Sequence, residues 1–223
     1  MERYIITIGR EFGSCGAEIG KGLAERLGIR YYDKKVIYMV ADEMSVLPSD
    51  ISANDEKYSK GNRYIRRTDS KIKARSDEIT NYQATVIRRL ATQSNCLFVG
   101  RCADYYLQDR SDVINIFIYA PFEKRCDTVG NRLLKSGQIP FDYNSIEEYR
   151  LKIQEYVAAT DRERHDYYKF VTGHNRLDRS NHQIMLDSSC YGVQGAIDIL
   201  ELAVKTALKN SKAFDKGVSA YGR

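Results

Sequence analysis

Residues 4–8 read YIITI, and residues 9–16, which follow directly, read GREFGSCG. The first run is short, apolar and rich in β-branched side chains, which is typical of a buried strand in a parallel sheet. The second run contains three glycines and leads into Ile19, Leu23 and Leu27, whose spacing of four predicts a helix. A strand, a glycine-rich turn and a helix in this order predict a phosphate-binding loop. Glycines let backbone N–H groups turn toward phosphate oxygens, and the helix N-terminus adds a favourable dipole.

The alternation of short apolar strands with helices continues along the chain. Further strands are predicted at residues 29–32, 96–99, 113–119 and 183–186. Helices are predicted at residues 36–44, 83–92, 122–135, 146–168 and 193–208, and Gly28 has the position of a C-cap glycine for the first helix. This order predicts the α/β class, a parallel sheet wrapped by helices.

The residues that directly follow the predicted strands are the candidates for a binding site, because ligands of parallel sheets bind at the carboxyl ends of the strands. They are residues 9–16, Asp33, Gly100, Arg101 and residues 120–121. Glycines, an acid and arginines at these positions predict a site for an anionic ligand.

Composition sets limits on the class of protein. The chain has 223 residues, which fits one large domain or one domain with an insert. Its longest apolar run, residues 113–120, is far below the ~20 residues of a membrane helix, and the N-terminus enters a strand without a signal peptide. The five cysteines form no CxxC pair and the three histidines do not cluster with them, so a zinc site and a disulfide framework are not expected. We therefore expect a cytoplasmic protein.

The net charge of +5 is unevenly distributed. Residues 57–89 contain ten basic and three acidic residues, a balance of +7, so the remainder sums to −2. A concentrated positive segment indicates an anionic ligand. Because Tyr58, Tyr64 and Tyr82 could stack on bases, nucleic-acid binding is an alternative, although the sequence contains no recognised nucleic-acid module.

Taken together, several blocks resemble the cytidylate kinase-like family, a divergent branch of the P-loop nucleoside monophosphate kinases. The blocks are residues 6–20, 23–28, 31–34, 99–105, 117–121, 161–168 and, faintly, 182–186. The resemblance covers roughly residues 4–200. It implies a P-loop NTPase fold, a three-layer α/β/α sandwich with a parallel sheet and a helical lid and acceptor-binding insert. The expected single domain is 1–209, with an acceptor-binding helical segment at about 45–92, lid-type helices at about 122–168 and a flexible tail at 210–223.

The resemblance also implies roles for individual residues. Gly13, Ser14, Cys15 and Gly16 would bind the phosphates of ATP, which arrives with Mg²⁺. Asp33, Arg101, Asp161 and Arg164 would hold the acceptor nucleotide. Arg125 and Arg132, as arginines of the lid, would neutralise the transferred phosphoryl group. No protein side chain is expected to bind the metal directly, although Glu18 could hold it through water.

The chain departs from the family pattern at the phosphate loop. The full pattern GxxxxGK[ST] is absent, and the pair Gly20-Lys21 lies about one turn inside the helix. Aligned with the monophosphate-kinase loop, Cys15 replaces the last loop glycine, Gly16 the phosphate-binding lysine and Glu18 the magnesium-binding threonine. Arg10 could supply the missing cation. The Gly-Arg-Asp motif of the family is Gly-Arg-Cys at residues 100–102, with Asp104 displaced by two positions.

Each candidate also has a structural interpretation. The glycine-rich turn could bind nothing, Arg101 could pair with Asp33 or Asp161, and Asp33 could cap the following helix. Asp161 and Arg164, three residues apart, could pair with each other.

We therefore expect a kinase that transfers the γ-phosphoryl of ATP to a small acceptor, with a nucleoside monophosphate such as CMP as the leading candidate. The alternative is a non-catalytic nucleotide-binding regulatory protein with a degenerate loop, and a nucleic-acid-binding protein ranks third. No membrane partner is expected.

Overall fold

The computed structural model describes residues 3–48 and 70–210 of the chain. Its strands are β1 (Ile5–Arg10), β2 (Arg30–Tyr32), β3 (Cys96–Val99), β4 (Val113–Tyr119) and β5 (Ile184–Asp187). Its helices are α1 (Gly16–Leu27), α2 (Lys35–Glu43), α3 (Ser70–Gln93), α4 (Ala103–Tyr106), α5 (Phe122–Ser136), α6 (Ile146–Thr172) and α7 (Ser188–Lys209). A 3-10 turn at Arg179–Asn181 precedes β5.

Within the described ranges the strands form one parallel sheet of five strands in the order β2-β3-β1-β4-β5. The central strand β1 pairs with β3 and β4 at once, so Ile8 lies between Val99 and Ile116. Because all strands run in one direction, the carboxyl ends of β1, β3 and β4 meet at one edge. The predicted α/β class and parallel sheet are confirmed.

Helices cover both faces of the sheet. On one face, Ile19 of α1 and Leu200 of α7 pack against alternate residues of the central strands such as Ile8. On the other face, α2, α3 and α4 pack against the strand residues whose side chains point to that face. For example, Ile87 of α3 and Phe98 of β3 belong to the same buried cluster. The result is the expected three-layer α/β/α arrangement, since successive strand residues point to opposite faces.

A third apolar cluster joins α5 to α6 beyond the carboxyl edge of the sheet. Val129 of α5 packs with Ile153 and Val157 of α6, and the half-buried Phe12 joins them from the turn after β1. The Phe12 ring meets the ring of Tyr156 edge to face, with 5.4 Å between centroids. This cluster therefore links the buried face of α6 to the glycine-rich turn.

Three helices differ from their predicted bounds. Helix α3 starts at Ser70 rather than near residue 83. The sequence pattern does not show this start, because the first half of the helix is polar and has little apolar periodicity. Helix α6 extends past the predicted residue 168 to Thr172 as one helix. Helix α7 starts at Ser188 rather than 193, since the side chain of Asp187 caps it by accepting a hydrogen bond from Ser189 N, and Gly192 interrupts its helical backbone with φ 65°.

Some predictions fall on residues 49–69 and 211–223, which lie outside the described part of the chain. They concern much of the acceptor-binding insert, part of the basic segment and the C-terminal tail. None of the described helices is at once long enough and apolar enough to cross a membrane.

Candidate functional site

A cleft opens at the carboxyl edge of the sheet between the ends of β1 and β3 and the C-terminal half of α6. Its lining is strongly basic and includes Arg10, Arg101, Arg164 and Arg176, with Asp104, Tyr167, Tyr168 and His182 among its other polar side chains. The four guanidinium groups face a single carboxyl group in this lining, so the cleft carries a positive potential suited to an anionic ligand.

The turn after β3 has an unusual backbone. Gly100, Arg101 and Cys102 have φ values of 71°, 63° and 52° in succession, so two side-chain-bearing residues adopt the left-handed conformation. That conformation costs roughly 1–2 kcal/mol per residue outside glycine. Strain of this kind concentrates at functional sites, where the fold holds a side chain in a required position.

The strained turn directs Arg101 into the cleft, where the residue is only 4% exposed. Burial, followed by the charge of Arg10, lowers the pKa of the Arg101 guanidinium to about 10. The carboxylate of Asp33 and the hydroxyl of Tyr167 act in the opposite direction. A desolvated cation next to a second cation indicates a site built for an anion.

Asp33 follows β2 and lies close enough to influence both Arg101 and Tyr31. Burial and then the Asp33 charge raise the pKa of Tyr31 to about 12. The cap position of α2 is Lys34, so the predicted capping role of Asp33 is not what the structure has.

Asp104, which follows the turn as the second residue of α4, was noted in the sequence only as a displaced acid. Its Oδ2 accepts a 2.7 Å hydrogen bond from the Tyr168 hydroxyl, and both residues line the cleft. Burial raises the pKa of the Asp104 carboxyl, against the lowering effect of the Tyr168 hydrogen bond and of His182. The sequence signal for it was its position two residues after Cys102.

The predicted phosphate loop joins β1 to α1 as expected. Gly13 and Cys15 have positive φ values of 88° and 58°, and the helix begins immediately afterwards at Gly16. The first N–H groups of a helix have no partner within it, so those of α1 point out of the turn. Alternating backbone conformations of this kind form a concave N–H surface for anions.

Ser14 supports the loop from inside. Its hydroxyl lies 2.9 Å from Glu11 O and 3.1 Å from Ile118 O, and its own carbonyl accepts a 2.8 Å hydrogen bond from Ser188 Oγ. Glu11 N donates to Ile118 O at 3.0 Å. The Ser14 side chain is therefore used within the protein, and its backbone N–H also donates to Glu11 O, at 3.4 Å.

The space beside Gly16, where a phosphate-binding lysine would begin, is occupied. A Cβ on Gly16 would lie 2.6 Å from Cβ and 3.2 Å from Cγ of Arg10. A side chain at position 16 therefore cannot be accommodated unless Arg10 moves. Arg10 itself lines the cleft.

On the other side of the loop, Arg132 of α5 approaches Cys15 closely enough for its charge to lower the pKa of the thiol. Burial has the larger effect and raises that pKa overall, while the charge of Glu18 also raises it. The protonated thiol is favoured, which does not suit a reactive cysteine.

Arg125 and Asp161, predicted to lie in the lid and the acceptor site, are in contact with each other. Arg125 Nη1 lies 2.5 Å from Asp161 Oδ2 and 3.0 Å from the carbonyl oxygen of Phe12. Arg125 Nε lies 3.0 Å from Ala120 O and 3.1 Å from Glu11 Oε2. Asp161 Oδ1 accepts a 3.0 Å hydrogen bond from Phe12 N. Both residues hold the start of the phosphate loop.

Arg164, by contrast, lines the cleft, and its guanidinium carbon lies 5.3 Å from the centre of the Phe12 ring. Asp161 pairs with Arg125 and Arg176, at 2.5 and 3.3 Å.

Arg176 is a buried cleft residue that the sequence analysis missed. Its Nη2 donates to Arg10 O at 2.9 Å, and its carbonyl oxygen lies 3.0 Å from His182 Nε2. It sits in the loop between α6 and β5, where no apolar periodicity or motif distinguishes a functional arginine from a solvated one.

The expected cofactor is Mg²⁺, which would arrive with ATP. No group of three or more His, Cys, Asp or Glu side chains in the described residues could hold a metal ion. Glu18, exposed in the first turn of α1, is a carboxylate near the loop and fits a contact through water to an ion carried by phosphates.

Two solved structures are similar to this one over most of their length. An uncharacterized protein from Eubacterium ventriosum has a TM-score of 0.65 at 22% identity, covering 91% of this chain and 99% of its own. Shikimate kinase from Bacteroides thetaiotaomicron has a TM-score of 0.52 at 10% identity, covering 91% of this chain and 98% of its own. At these identities the likeness is one of fold.

A comparison with curated proteins gives no match. The model of the cytidylate kinase-like family matches residues 5–190, which include the phosphate loop, the strained Arg101 turn and the basic cleft. By its sequence and its fold, the chain belongs to the cytidylate kinase-like family.

Proposed function

We propose that the protein is a phosphotransferase that moves the γ-phosphoryl group of ATP to a small anionic acceptor, with a nucleoside monophosphate such as CMP as the first candidate. The observation that carries this proposal is the buried, strained and desolvated Arg101 in a cleft beside the phosphate loop. Family membership and the fold shared with shikimate kinase support kinase chemistry in general terms.

The donor phosphates would bind at the turn between β1 and α1. The N–H groups of Gly13, Cys15 and Gly16 would supply the concave surface, and the start of α1 adds the positive end of a helix dipole. Ser14 would support the loop from inside, because its hydroxyl and its backbone N–H are both hydrogen-bonded within the protein.

Arginines would provide the charge that the loop lacks. Arg10 occupies the space beside Gly16, and Arg132 lies near Cys15 on the opposite side of the loop. Phosphoryl transfer depends on positioning and on neutralising charge around the transferred group, with little covalent chemistry for the protein to perform. Two arginines that flank the loop are suited to that task, since a guanidinium binds phosphate oxygens through several N–H donors.

The acceptor would bind in the basic cleft. Arg101 and Arg164 would hold its anionic group, with Asp33 keeping Arg101 oriented and charged. Arg176 adds a buried positive charge to the same wall. Arg125 and Asp161 contact the backbone of the loop, and we assign them a role in supporting it.

Magnesium would enter with ATP and neutralise part of the negative charge of its phosphates. The carboxylate that would approach it is Glu18, through a water molecule, because it is exposed at the start of α1. The protein's own contribution is the orientation of the phosphates by the loop.

The proposal is tested by following ADP release from Mg-ATP in a coupled assay against a panel of nucleoside monophosphates and small metabolites. Wild type is expected to turn over with one acceptor class. Arg101→Ala should raise the KM of that acceptor by about 30-fold or more, because removing one side of a buried charged contact costs at least about 2 kcal/mol. Arg101→Lys, which keeps the charge without the fork of donors, should give an intermediate KM.

Lys21→Ala is the matched control. Lys21 belongs to the decoy pair Gly20-Lys21, and its side chain is 67% exposed on α1, so the assay should not respond to its loss. Acceptor-dependent turnover that Arg101→Ala leaves unchanged would contradict the assignment of the cleft.

The second candidate is a non-catalytic nucleotide-binding protein, and Gly16 at the lysine position favours it. Calorimetry separates the two. Binding of Mg-ADP without turnover for any acceptor would support the regulatory function, and turnover would exclude it.

A further inference from the structure

The backbone of Phe12, at the start of the phosphate loop, is held at its N–H and at its C=O by two charged side chains. Asp161 Oδ1 accepts a hydrogen bond from Phe12 N at 3.0 Å, and Arg125 Nη1 donates one to Phe12 O at 3.0 Å. The two side chains are joined to each other at 2.5 Å. The contacts therefore form a closed ring of the Phe12 backbone, a carboxylate and a guanidinium.

Neighbouring contacts restrict the same arginine further. Arg125 Nε reaches Ala120 O at 3.0 Å and Glu11 Oε2 at 3.1 Å. The backbone of Arg125 packs against Gly13, where a Cβ would lie only 2.6 Å from Arg125 O. Helix α5 thus supports the loop through its backbone as well as its side chain.

Resting on the function proposed above, we propose that Arg125 and Asp161 form a clamp, a pair of positioning residues that fixes the Phe12 backbone and thereby aims the N–H groups of Gly13, Cys15 and Gly16 at the donor phosphates. Neither residue has to contact a substrate. Since N–H donors stabilise phosphate only when they are aligned before it arrives, loosening the clamp weakens the donor site itself.

The clamp also reaches the acceptor cleft. Asp161 Oδ1 lies 3.3 Å from Arg176 Nη2, and Arg176 lines the cleft. Asp161 is therefore shared by the loop, helix α5 and the cleft wall. Although part of its side chain is exposed, this acid in the middle of α6 contacts Phe12 N, Arg125 and Arg176.

The test measures the affinity for Mg-ADP by calorimetry in the absence of any acceptor, for Arg125→Lys, Asp161→Asn and the double variant. Lysine keeps the charge but loses the fork of donors, and asparagine keeps an acceptor for Phe12 N but loses the charge. We expect each single variant to weaken Mg-ADP binding at least tenfold. The affinity of the double variant for Mg-ADP should be within about twofold of that of the weaker-binding single variant, because either substitution alone already breaks the same set of contacts.

Lys124→Gln, the exposed neighbour on α5, is the control and should bind Mg-ADP as wild type does. Wild-type affinity in both single variants overturns the clamp, as does a double variant whose loss equals the product of the two single losses. In the steady state of Arg125→Lys, which leaves the contact between Asp161 and Arg176 in place, the KM for ATP should rise while that of the acceptor stays within about twofold. A rise confined to the acceptor KM overturns the proposal in favour of direct acceptor contact.

Amide hydrogen exchange of residues 9–16 tests the clamp without any nucleotide. If wild type binds no nucleotide, the proposed function fails, and the exchange rates still show whether the clamp holds the loop. Faster exchange in the loop of Asp161→Asn, with α1 and β4 still protected, supports the clamp. Unchanged exchange in the loop overturns it. Asp161→Asn is expected to fold, since Arg125 keeps Glu11 as a charged partner.

Discussion

Arg10 covers Gly16: a Cβ added to Gly16 would lie 2.6 Å from the Cβ of Arg10. The two positions therefore exclude each other as carriers of long side chains. The absence of a side chain at Gly16 leaves room for Arg10, which we propose as the cation of this site in place of a lysine.

The exclusion predicts that restoring the lysine alone fails. Arg10→Ala should lower turnover by about 10²–10³, as is typical when a group that stabilises developing charge is removed. Gly16→Lys should also lower it, because its Cβ displaces Arg10. The double variant Arg10→Gly/Gly16→Lys removes the Cβ at position 10 and should recover part of the lost kcat, which steady-state kinetics with Mg-ATP measures.

Full activity in Arg10→Ala would contradict the role of Arg10 as the substitute cation. A gain in Gly16→Lys alone would contradict the steric exclusion between the two positions.

Arg101 is predicted to reduce stability in exchange for binding. Its pKa of about 10 means that the folded protein releases its proton more readily than the unfolded chain does, so the charged form is disfavoured by folding. Replacing a buried ion by an apolar side chain of similar volume can stabilise a protein by roughly 1–4 kcal/mol. Arg101→Met should therefore raise the melting temperature near pH 7 while abolishing acceptor binding.

The sign of the pH dependence follows from the same pKa. Between about pH 10 and the higher pKa of an ordinary arginine the unfolded chain binds more protons, so the penalty of Arg101 diminishes as the pH rises above about 10. The advantage of Arg101→Met should shrink in that range. A variant that melts below wild type at pH 7 would show instead that Arg101 is held by stabilising contacts.

The sequence predicts the architecture well where local pattern determines it. The bounds of β4, residues 113–119, agree with its apolar run, which Asn115 interrupts, and Gly28 ends α1 with the expected left-handed φ of 64°. The start of α3 was missed because a polar helix half carries no periodicity to read.

The site could be predicted only in part. Asp33 and Arg101 follow strands, so topology alone brings them to the same edge. Arg176 and the contact between Arg125 and Asp161 depend on how loops and the α5–α6 pair fold over that edge, which no spacing in the chain encodes.

Asp104 is predicted to give a pH-dependent stability of the opposite kind to an ordinary surface acid. Burial raises the pKa of its carboxyl, so the folded state binds more protons than the unfolded state above the ordinary pKa of 3.8. Stability is then lost as the pH rises through the folded pKa. Asp104→Asn keeps an oxygen for the Tyr168 hydroxyl and should melt higher than wild type at pH 7–8, with the difference vanishing toward pH 4. Thermal melts across that range measure it, and a pH-independent difference would contradict the burial effect.

Gly13 allows a comparison that separates backbone strain from loop function. Its φ of 88° and the 2.6 Å separation of an added Cβ from Arg125 O mean that alanine is both strained and in collision with backbone. Gly137, at the end of α5, has a φ of 68° and open space around its Cβ position, so alanine there is strained only. Gly137→Ala should cost about 1 kcal/mol of unfolding free energy and leave Mg-ADP binding unchanged. Gly13→Ala should cost more and should weaken Mg-ADP binding at least tenfold, because the loop must separate from α5 to admit the methyl group. Urea unfolding and calorimetry on the two variants decide the matter: equal nucleotide affinity in both would mean that the close packing of Gly13 on Arg125 does not align the phosphate loop.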